Sequence, residues 1–336
     1  MRALLFGGIP ARGWTLLLGS ALALLLLPLV ASDYLLTVLI LIFYFAFVGQ
    51  AWNIMTGFAG QLSLGHALYV GLGAYAASAL YVHFGIGPWI GMLAAVVLSA
   101  LVGAALGFLA FRFGVGGVYF AILTIAFAEF ARIGFDHLSW VGGSSGLFLP
   151  VAQFSRNELW HLRGHPLMFY YLMLALAALA LIVCRGLLRS RLGFYWQAIR
   201  EDEPAARALG IDTFRCKMIA VVISAAMTSV GGVVFAFYYN NLFPEQVFSI
   251  ARSIEIILGP FIGGVGTLIG PIAGAFLITG VSEGLIELLT GVGLAVPGAK
   301  QVFYGICLLA VIVLMPNGVW PPLAAALGLK RGKPRR

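Results

Sequence analysis

The chain has 336 residues, of which 62% are hydrophobic and only 10% charged, with a formal net charge of +8. About a quarter of the residues in an ordinary soluble domain are charged, so this composition excludes that class and points to the membrane. The basic excess lies in loops between apolar runs, which makes it a matter of topology rather than of nucleic-acid binding, and Cys184, Cys216 and Cys307 have no metal-ligand spacing.

Residues Met1 to Ser32 have the outline of a signal peptide, with Arg2 and Arg12 ahead of an apolar run and Val30-Ala31-Ser32 after it. The run Trp14–Val30 is long for a secretory core, so a retained first helix is expected. Further spans follow at Leu35–Met55, Leu62–Val82, Pro88–Phe111, Val118–Phe135, Leu167–Val183 and Met218–Tyr239. Each approaches or exceeds the about 20 residues that cross a bilayer. A region broken by glycine and proline, Ile254–Leu289, precedes a last span at Val302–Leu314. One re-entrant hairpin in that region gives eight spans, and two crossings give ten. The expected fold class is an all-α polytopic membrane protein with about 8–10 transmembrane helices, broken or re-entrant near residues 57-66 and 258-275. One transmembrane domain covers 1-336. The longest external loop, Asp136 to Pro166, reads as a cap of turns with a short helix around Asn157–Leu162.

Lys and Arg in short loops set orientation. With the N-terminus inside, Arg2, Arg12, Arg112, Lys330, Arg331, Lys333, Arg335 and Arg336 are internal, as are seven basic residues between Arg185 and Lys217; Arg156, Arg163, Arg252 and Lys300 are external. Both termini, the loop 184-217 and the basic tail 320-336 are therefore expected in the cytosol. Cys184 and Cys216 flank that loop, where thiols stay reduced. The loop also carries the densest carboxylate cluster, Glu201-Asp202-Glu203. A long charged loop on an otherwise apolar chain suits a soluble partner; the plain alternative is a solvated connector.

Three motifs interrupt the apolar pattern. Gln61, Ser63 and His66 bring hydrogen-bonding groups into the small-residue run Gly57 to Leu80, where unsatisfied polar groups are costly. They either line a polar pathway or bond neighbouring carbonyls within a packed helix. Glu129 and Arg132 lie three apart within a span and so share a helix face; they are an internal ion pair or a substrate contact. Leu258 to Leu277 combines Pro260 and Pro271 with Gly263, Gly264 and Gly266. The spacing Gly264-x-Gly266 lacks the strand and βαβ unit of a nucleotide site. A broken helix at membrane depth instead marks a gate or pathway element. The chain has no P-loop and no nucleophile or metal motif, so it is read as a non-enzyme.

Gly60-Gln61-Leu62-Ser63-Leu64-Gly65-His66-Ala67 resembles the signature of LivM-type permeases of branched-chain amino acid ABC transporters. The resemblance continues at Gly117–Thr124 and Phe127–Glu129, is densest from Ser190 to Lys217, and resumes at Gly263–Pro271 and from Tyr304 to Gly318. It implies a multi-pass permease subunit of the bacterial inner membrane that imports leucine, isoleucine or valine. Its implied partners are a LivH-type second permease, two cytosolic ATP-binding subunits of LivG/LivF type that hydrolyse ATP, a periplasmic amino-acid-binding protein and membrane lipids. No cofactor is implied in this chain and no nucleic acid. A urea or short-amide permease of the same group, an ion-coupled carrier or channel, and a structural assembly factor are the alternatives.

The resemblance also implies that the loop holds the ATPase coupling helix. Importer permeases carry an EAA-x-x-x-G pattern there, and Pro204-Ala205-Ala206-Arg207-Ala208-Leu209-Gly210 corresponds, with Pro204 in place of Glu and Glu203 one position earlier. Proline suits a first helical turn. Arg200, Glu203, Pro204, Ala205, Ala206, Arg207 and Gly210 are thus the expected coupling residues. The expected pathway residues are Gln61, Ser63, His66, Glu129, Gly263, Gly264 and Gly266. Since selectivity can reside in the soluble receptor, no high-affinity pocket is expected.

Overall fold

The computed structural model describes residues 11–150, 158–291, 298–315 and 317–327, and within them the chain is helical almost throughout. The helices are α1 (Ala11–Leu26), α2 (Asp33–Asn53), α3 (Ala67–Phe84), α4 (Pro88–Arg112), α5 (Val118–His137), α6 (Pro166–Arg189) and α7 (Arg191–Glu201). They continue as α8 (Glu203–Ala208), α9 (Thr213–Tyr239), α10 (Pro244–Val247), α11 (Ile250–Gly263), α12 (Gly270–Gly291), α13 (Ala299–Leu314) and α14 (Trp320–Ala326). The all-α polytopic architecture expected from the sequence is the one observed. The basic residues of the tail lie outside the described residues.

Boundaries follow local chemistry. Ser32 caps α2, Pro88 opens α4, and Ser190 closes α6 while its hydroxyl accepts from Gly193 N to start α7. Gly85 and Asn240 end α3 and α9 in the left-handed conformation. The loop between α5 and α6 is, over its described residues, a set of turns, as expected. It forms two-residue strand β1 (Leu147–Phe148), which pairs antiparallel with β2 (Asn241–Leu242). The helix expected around Asn157–Leu162 is a single 3-10 turn, Leu159–His161; Asn157 lies outside the described residues.

Helix α2 forms the centre, packed against α6, α9, α11 and α12, while α9 fills the space between α2, α3 and α4. Helices in lipid gain little from burying apolar surface against each other, and small residues that admit close backbones take over. At the α3–α9 crossing, Gly73 sits against the Ser229 backbone and Gly232 against the Val70 carbonyl. A side chain at either position would separate the two helices.

Among the described residues, eight stretches are long and apolar enough to cross a bilayer, and Leu18–Leu29 and Gln301–Val311 are shorter apolar helices. The broken region is a pair of antiparallel helices. Tyr34, at one end of α2, donates to the Glu283 carbonyl at 3.2 Å, while Asn53 and Gln50 at the other end donate to Thr267 and Leu268. Helix α12 therefore runs alongside α2 for most of its length and, like α2, is long and apolar enough to cross a bilayer.

Candidate functional site

The charged loop folds as α7, α8 and the tight turn into α9. Trp196 is buried, donates its indole N–H to the Cys216 carbonyl at 2.8 Å, and packs with Ile54, Phe58, Cys184, Ile199, Ala206 and Ala220. The loop is thus seated on the ends of α2, α6 and α9. Six residues cannot hold a helix on propensity alone, and α8 is pinned at both ends. Asp202 accepts from Ala205 N at 3.0 Å, and Pro204 stands in the first turn. At the far end Gly210 N bonds Arg207 O and Ile211 N bonds Ala206 O, a Schellman closure with Gly210 at φ 85°. That conformation is the reason for a glycine there.

Glu203 faces inward. Its Oε1 accepts from Lys217 Nζ at 2.8 Å and from Arg207 Nη2 at 3.0 Å, and Lys217 lies over the Phe111 ring at 4.7 Å. Burial alone would raise the Glu203 carboxyl, but bonds from Lys217 and Thr213 and the charge of Arg207 hold it below the ordinary value. It is a strap between α8 and α9. The outward face of α8 is left to Pro204, Ala205, Arg207 and Ala208, with Leu209 and Gly210 beyond its end. Leu209 is 82% exposed, and Ala206 at 2% is the residue that anchors the helix from beneath.

Helix α2 ends in a π turn, Ile54–Phe58, and the chain then runs without helix until Ala67. Backbone groups at such a break need partners from protein, and side chains supply several of them. Thr56 Oγ1 donates to Gln61 O and accepts from Ser63 N; Thr124 Oγ1 accepts from Leu64 N and Gly65 N at 3.1 Å; Ser253 Oγ accepts from Ala67 N. Trp52 donates to Ser63 O at 2.8 Å and Gln61 Nε2 to Ala59 O at 3.0 Å. His66 bridges the Ser63 and Ser224 hydroxyls at 3.2 and 3.0 Å, and Ser224 passes on to Ala51 O. Gln61, Ser63 and His66 are all buried in the interior of this subunit. Together they form a hydrogen-bonded latch across the break.

The second break, Gly264–Ile269, meets the first. Asn53 Nδ2 donates to Thr267 O at 2.9 Å, its Oδ1 accepts from Gly266 N at 2.8 Å, and Gln50 donates to Leu268 O at 2.7 Å. Gly264 (φ 121°) and Gly266 (φ 77°) make the turn. Gly263 packs on Gly270, and Gly264 lies against Asn317 and Gly318.

On α5, Arg132 donates to Glu129 Oε1 through Nε and Nη2 at 2.9 and 2.6 Å, and to Asp136 Oδ2 through Nη1 at 2.9 Å. The spacing of Glu129 and Arg132 pointed to the first contact; Asp136, one turn further, extends the pair to a triad. Asp136 also lines a cavity of about 470 Å³ at the end of the protein away from the charged loop, with His137, Ser144, Phe243, Pro244, Glu245 and Gln246. That volume suits a small molecule.

Arg200, expected among the coupling residues, donates Nη1 to the Gly57 carbonyl at 2.6 Å. Sequence reasoning missed Leu209 as an exposed apolar knob, and Gln50, Asn53, Thr124, Ser224 and Ser253 as the braces of the two breaks. Their signal was present: polar residues inside otherwise apolar spans, where each needs a partner.

The chain matches the family model for the branched-chain amino acid transport system / permease component over residues 34–312. It is 31% identical over 306 residues to the high-affinity branched-chain amino acid transport system permease protein LivM of Escherichia coli K12, covering 85% of this chain and 69% of that protein. The high-affinity branched-chain amino acid transport system permease protein LivH of Salmonella typhimurium is 29% identical over 54% of this chain and 52% of its own. For the autoinducer 2 import system permease protein LsrC of an Enterobacter species the figures are 30%, 59% and 56%. No solved structure matches. The chain belongs to the permease-component family of branched-chain amino acid transport systems.

Proposed function

We propose that this chain is one of two permease subunits of an ATP-driven importer of leucine, isoleucine and valine. A LivH-type permease is its membrane partner, two ATP-hydrolysing subunits dock on the 184-217 loop, and a periplasmic binding protein delivers the substrate. The whole chain, 1-336, acts as a single permease domain in the bacterial inner membrane. Both termini and the basic tail 320-336 lie in the cytosol, and no cofactor is held by the chain itself. The observation that carries the reading is α8, a capped helix with an exposed apolar tip, in a chain similar to LivM over most of its length.

The coupling surface is Pro204, Ala205, Arg207 and Gly210, with Ala206 and Glu203 holding it from behind. Substrate passes along the Glu129, Arg132 and Asp136 face of α5, reached from the outer cavity. Two carboxylates beside a guanidinium offer weak, complementary contacts to a zwitterion, which speeds transit without trapping it. Gln61, Ser63 and His66 hold the shape of the segment that braces α5 through Leu64 and Gly65, and Gly263, Gly264 and Gly266 form the hinge at the cytosolic end.

The test is reconstitution of the permease pair, the ATPases and the binding protein in proteoliposomes. Uptake of leucine, isoleucine or valine that requires both ATP and the binding protein is expected. Uptake driven by an ion gradient without ATP, or of urea in place of amino acids, would refute the reading.

A further inference from the structure

Arg200 lies where three segments meet. It stands in the last turn of α7, two residues before the Asp202 cap of α8. Its Nη1 bonds the Gly57 carbonyl at 2.6 Å and its Nη2 reaches Glu201 Oε1 at 3.0 Å. Its aliphatic stem packs on Gly60, where an added Cβ would stand 3.0 Å from Arg200 Cγ. Its Nη1 also fills the space that a Cβ at Gly266 would need. One side chain of the loop therefore touches both backbone breaks of the membrane domain.

The Gly57 carbonyl lies in the π turn at the end of α2, where the helical ladder runs out and acceptors need partners from outside. A guanidinium supplies one through a charge-assisted bond, stronger and more directional than a neutral one. The breaks are also tied to each other through Asn53 and Gln50. Other links from loop to spans end elsewhere. Ile199 makes apolar contacts, Trp196 packs in the same cluster and donates to the Cys216 carbonyl of α9, and the Glu203–Lys217 pair ties α8 to α9.

We propose that Arg200 is a positioning residue that carries displacement of the α7–α8 element to both breaks together, making Gly57 and Gly264–Ile269 one coupled hinge. This rests on the importer reading above. Were Arg200 a surface docking charge, its loss would weaken ATPase binding. As a transmission strut, its loss leaves the ATPases bound and lowers the work their hydrolysis performs.

The experiment compares wild type, Arg200→Ala and Arg200→Lys as purified full complexes with the binding protein in proteoliposomes. Substrate imported is divided by ATP hydrolysed. Arg200→Ala is expected to lower that ratio about fivefold or more, the scale of an ordinary coupling energy. Arg200→Lys falls between, since an ammonium can reach one carbonyl but lacks the planar fork. Hydrogen exchange gives the second readout. In wild type, ATP alters protection at α8, at residues 57–61 and at residues 264–268; in Arg200→Ala the change at α8 persists and the other two are lost. A wild-type ratio in the assembled variants, or ATP-driven changes at both breaks without Arg200, overturns the proposal. Should Arg200→Ala fail to assemble, Arg200→Lys decides by the same ratio. Absence of amino-acid uptake by wild type counts against the importer reading instead.

Discussion

Replacing Glu203 by Gln tests whether α8 is held rigid from behind. The Lys217 side chain is 10% exposed and that of Glu203 28%, with 2.8 Å between Nζ and Oε1. Breaking a fully buried pair costs about 3–5 kcal/mol, and an exposed one about 1 kcal/mol or less. The partial exposure, the amide's remaining ability to accept a bond, and the Phe111 ring beneath Lys217 place this case between them, at about 2 kcal/mol. Arg207, whose side chain is 69% exposed, adds little. That energy corresponds to an increase on the order of 30-fold in local opening. Hydrogen exchange should therefore accelerate by that factor at the amides of Ala206, Leu209, Gly210 and Ile211, which carry the α8 ladder and its closure. Exchange in the α2–α9 core should not change. Adding Lys217→Met to Glu203→Gln should recover part of the loss, because the stranded ammonium is then gone. Equal acceleration throughout the chain, or none at α8, refutes the strap. The pH dependence has the matching sign. The folded carboxyl lies below its ordinary value of 4.5, so the stabilisation is complete above that value and is lost as pH falls through the depressed one. After correction for intrinsic rates, α8 protection is thus flat from neutrality down to the ordinary carboxylate range.

Three further outcomes are expected. Leu209→Asp removes the exposed apolar tip of the docking element; burying a leucine contributes about 2 kcal/mol, so affinity for the ATPase subunits should fall by more than tenfold in a pull-down titration, and unchanged affinity would remove Leu209 from the interface. Gly210→Val should loosen the Schellman closure by about 1–2 kcal/mol through backbone strain alone, since nothing lies within 4 Å of the added Cβ. Gly210→Asn, which tolerates the same backbone, should cost less by exchange at Ile211; equal costs would point to steric crowding by a partner instead. His66→Leu leaves the buried Ser63 and Ser224 hydroxyls without their bridge and should lower stability by about 1–3 kcal/mol in thermal unfolding, with transport per folded complex retained. A selective loss of transport at wild-type stability would return His66 to the pathway.

Much of the fold was legible because membrane spans announce themselves by length and polarity, and breaks by glycine and proline. Helices α4, α5, α6 and α9 fall where the apolar runs predict them. The number of crossings was not legible, because two even counts satisfy the charge rule equally; the alignment of α12 with α2 comes from contacts between residues about 250 positions apart. Helix α8 was legible through Pro204 in its first turn; its caps, Asp202 and Gly210, act on their own neighbours and could have been read from local sequence as well. The direction of long side chains was not legible. Arg200 and Glu203 read as coupling residues of a polar loop, and each, while partly exposed, also bonds a partner supplied by another element, Gly57 for one and Lys217 for the other. Local chemistry is written in local sequence; the partner of a long charged side chain is decided by what folds against it.

These two charges give the loop its mechanical character. An isolated six-residue helix would fray, and a partner pushing on it would deform the helix before moving anything else. Caps at both ends and the Glu203 strap remove that freedom, so force applied at Leu209 and Gly210 reaches the body of the loop. Trp196 and its apolar surroundings then keep the loop on the ends of α2, α6 and α9, and its indole bond to the Cys216 carbonyl ties it to α9. The Arg200 bond instead ends on the Gly57 carbonyl, where α2 has lost its helical ladder. A loop braced in this way, and bonded at that break, has the connections that the proposed lever and hinge require.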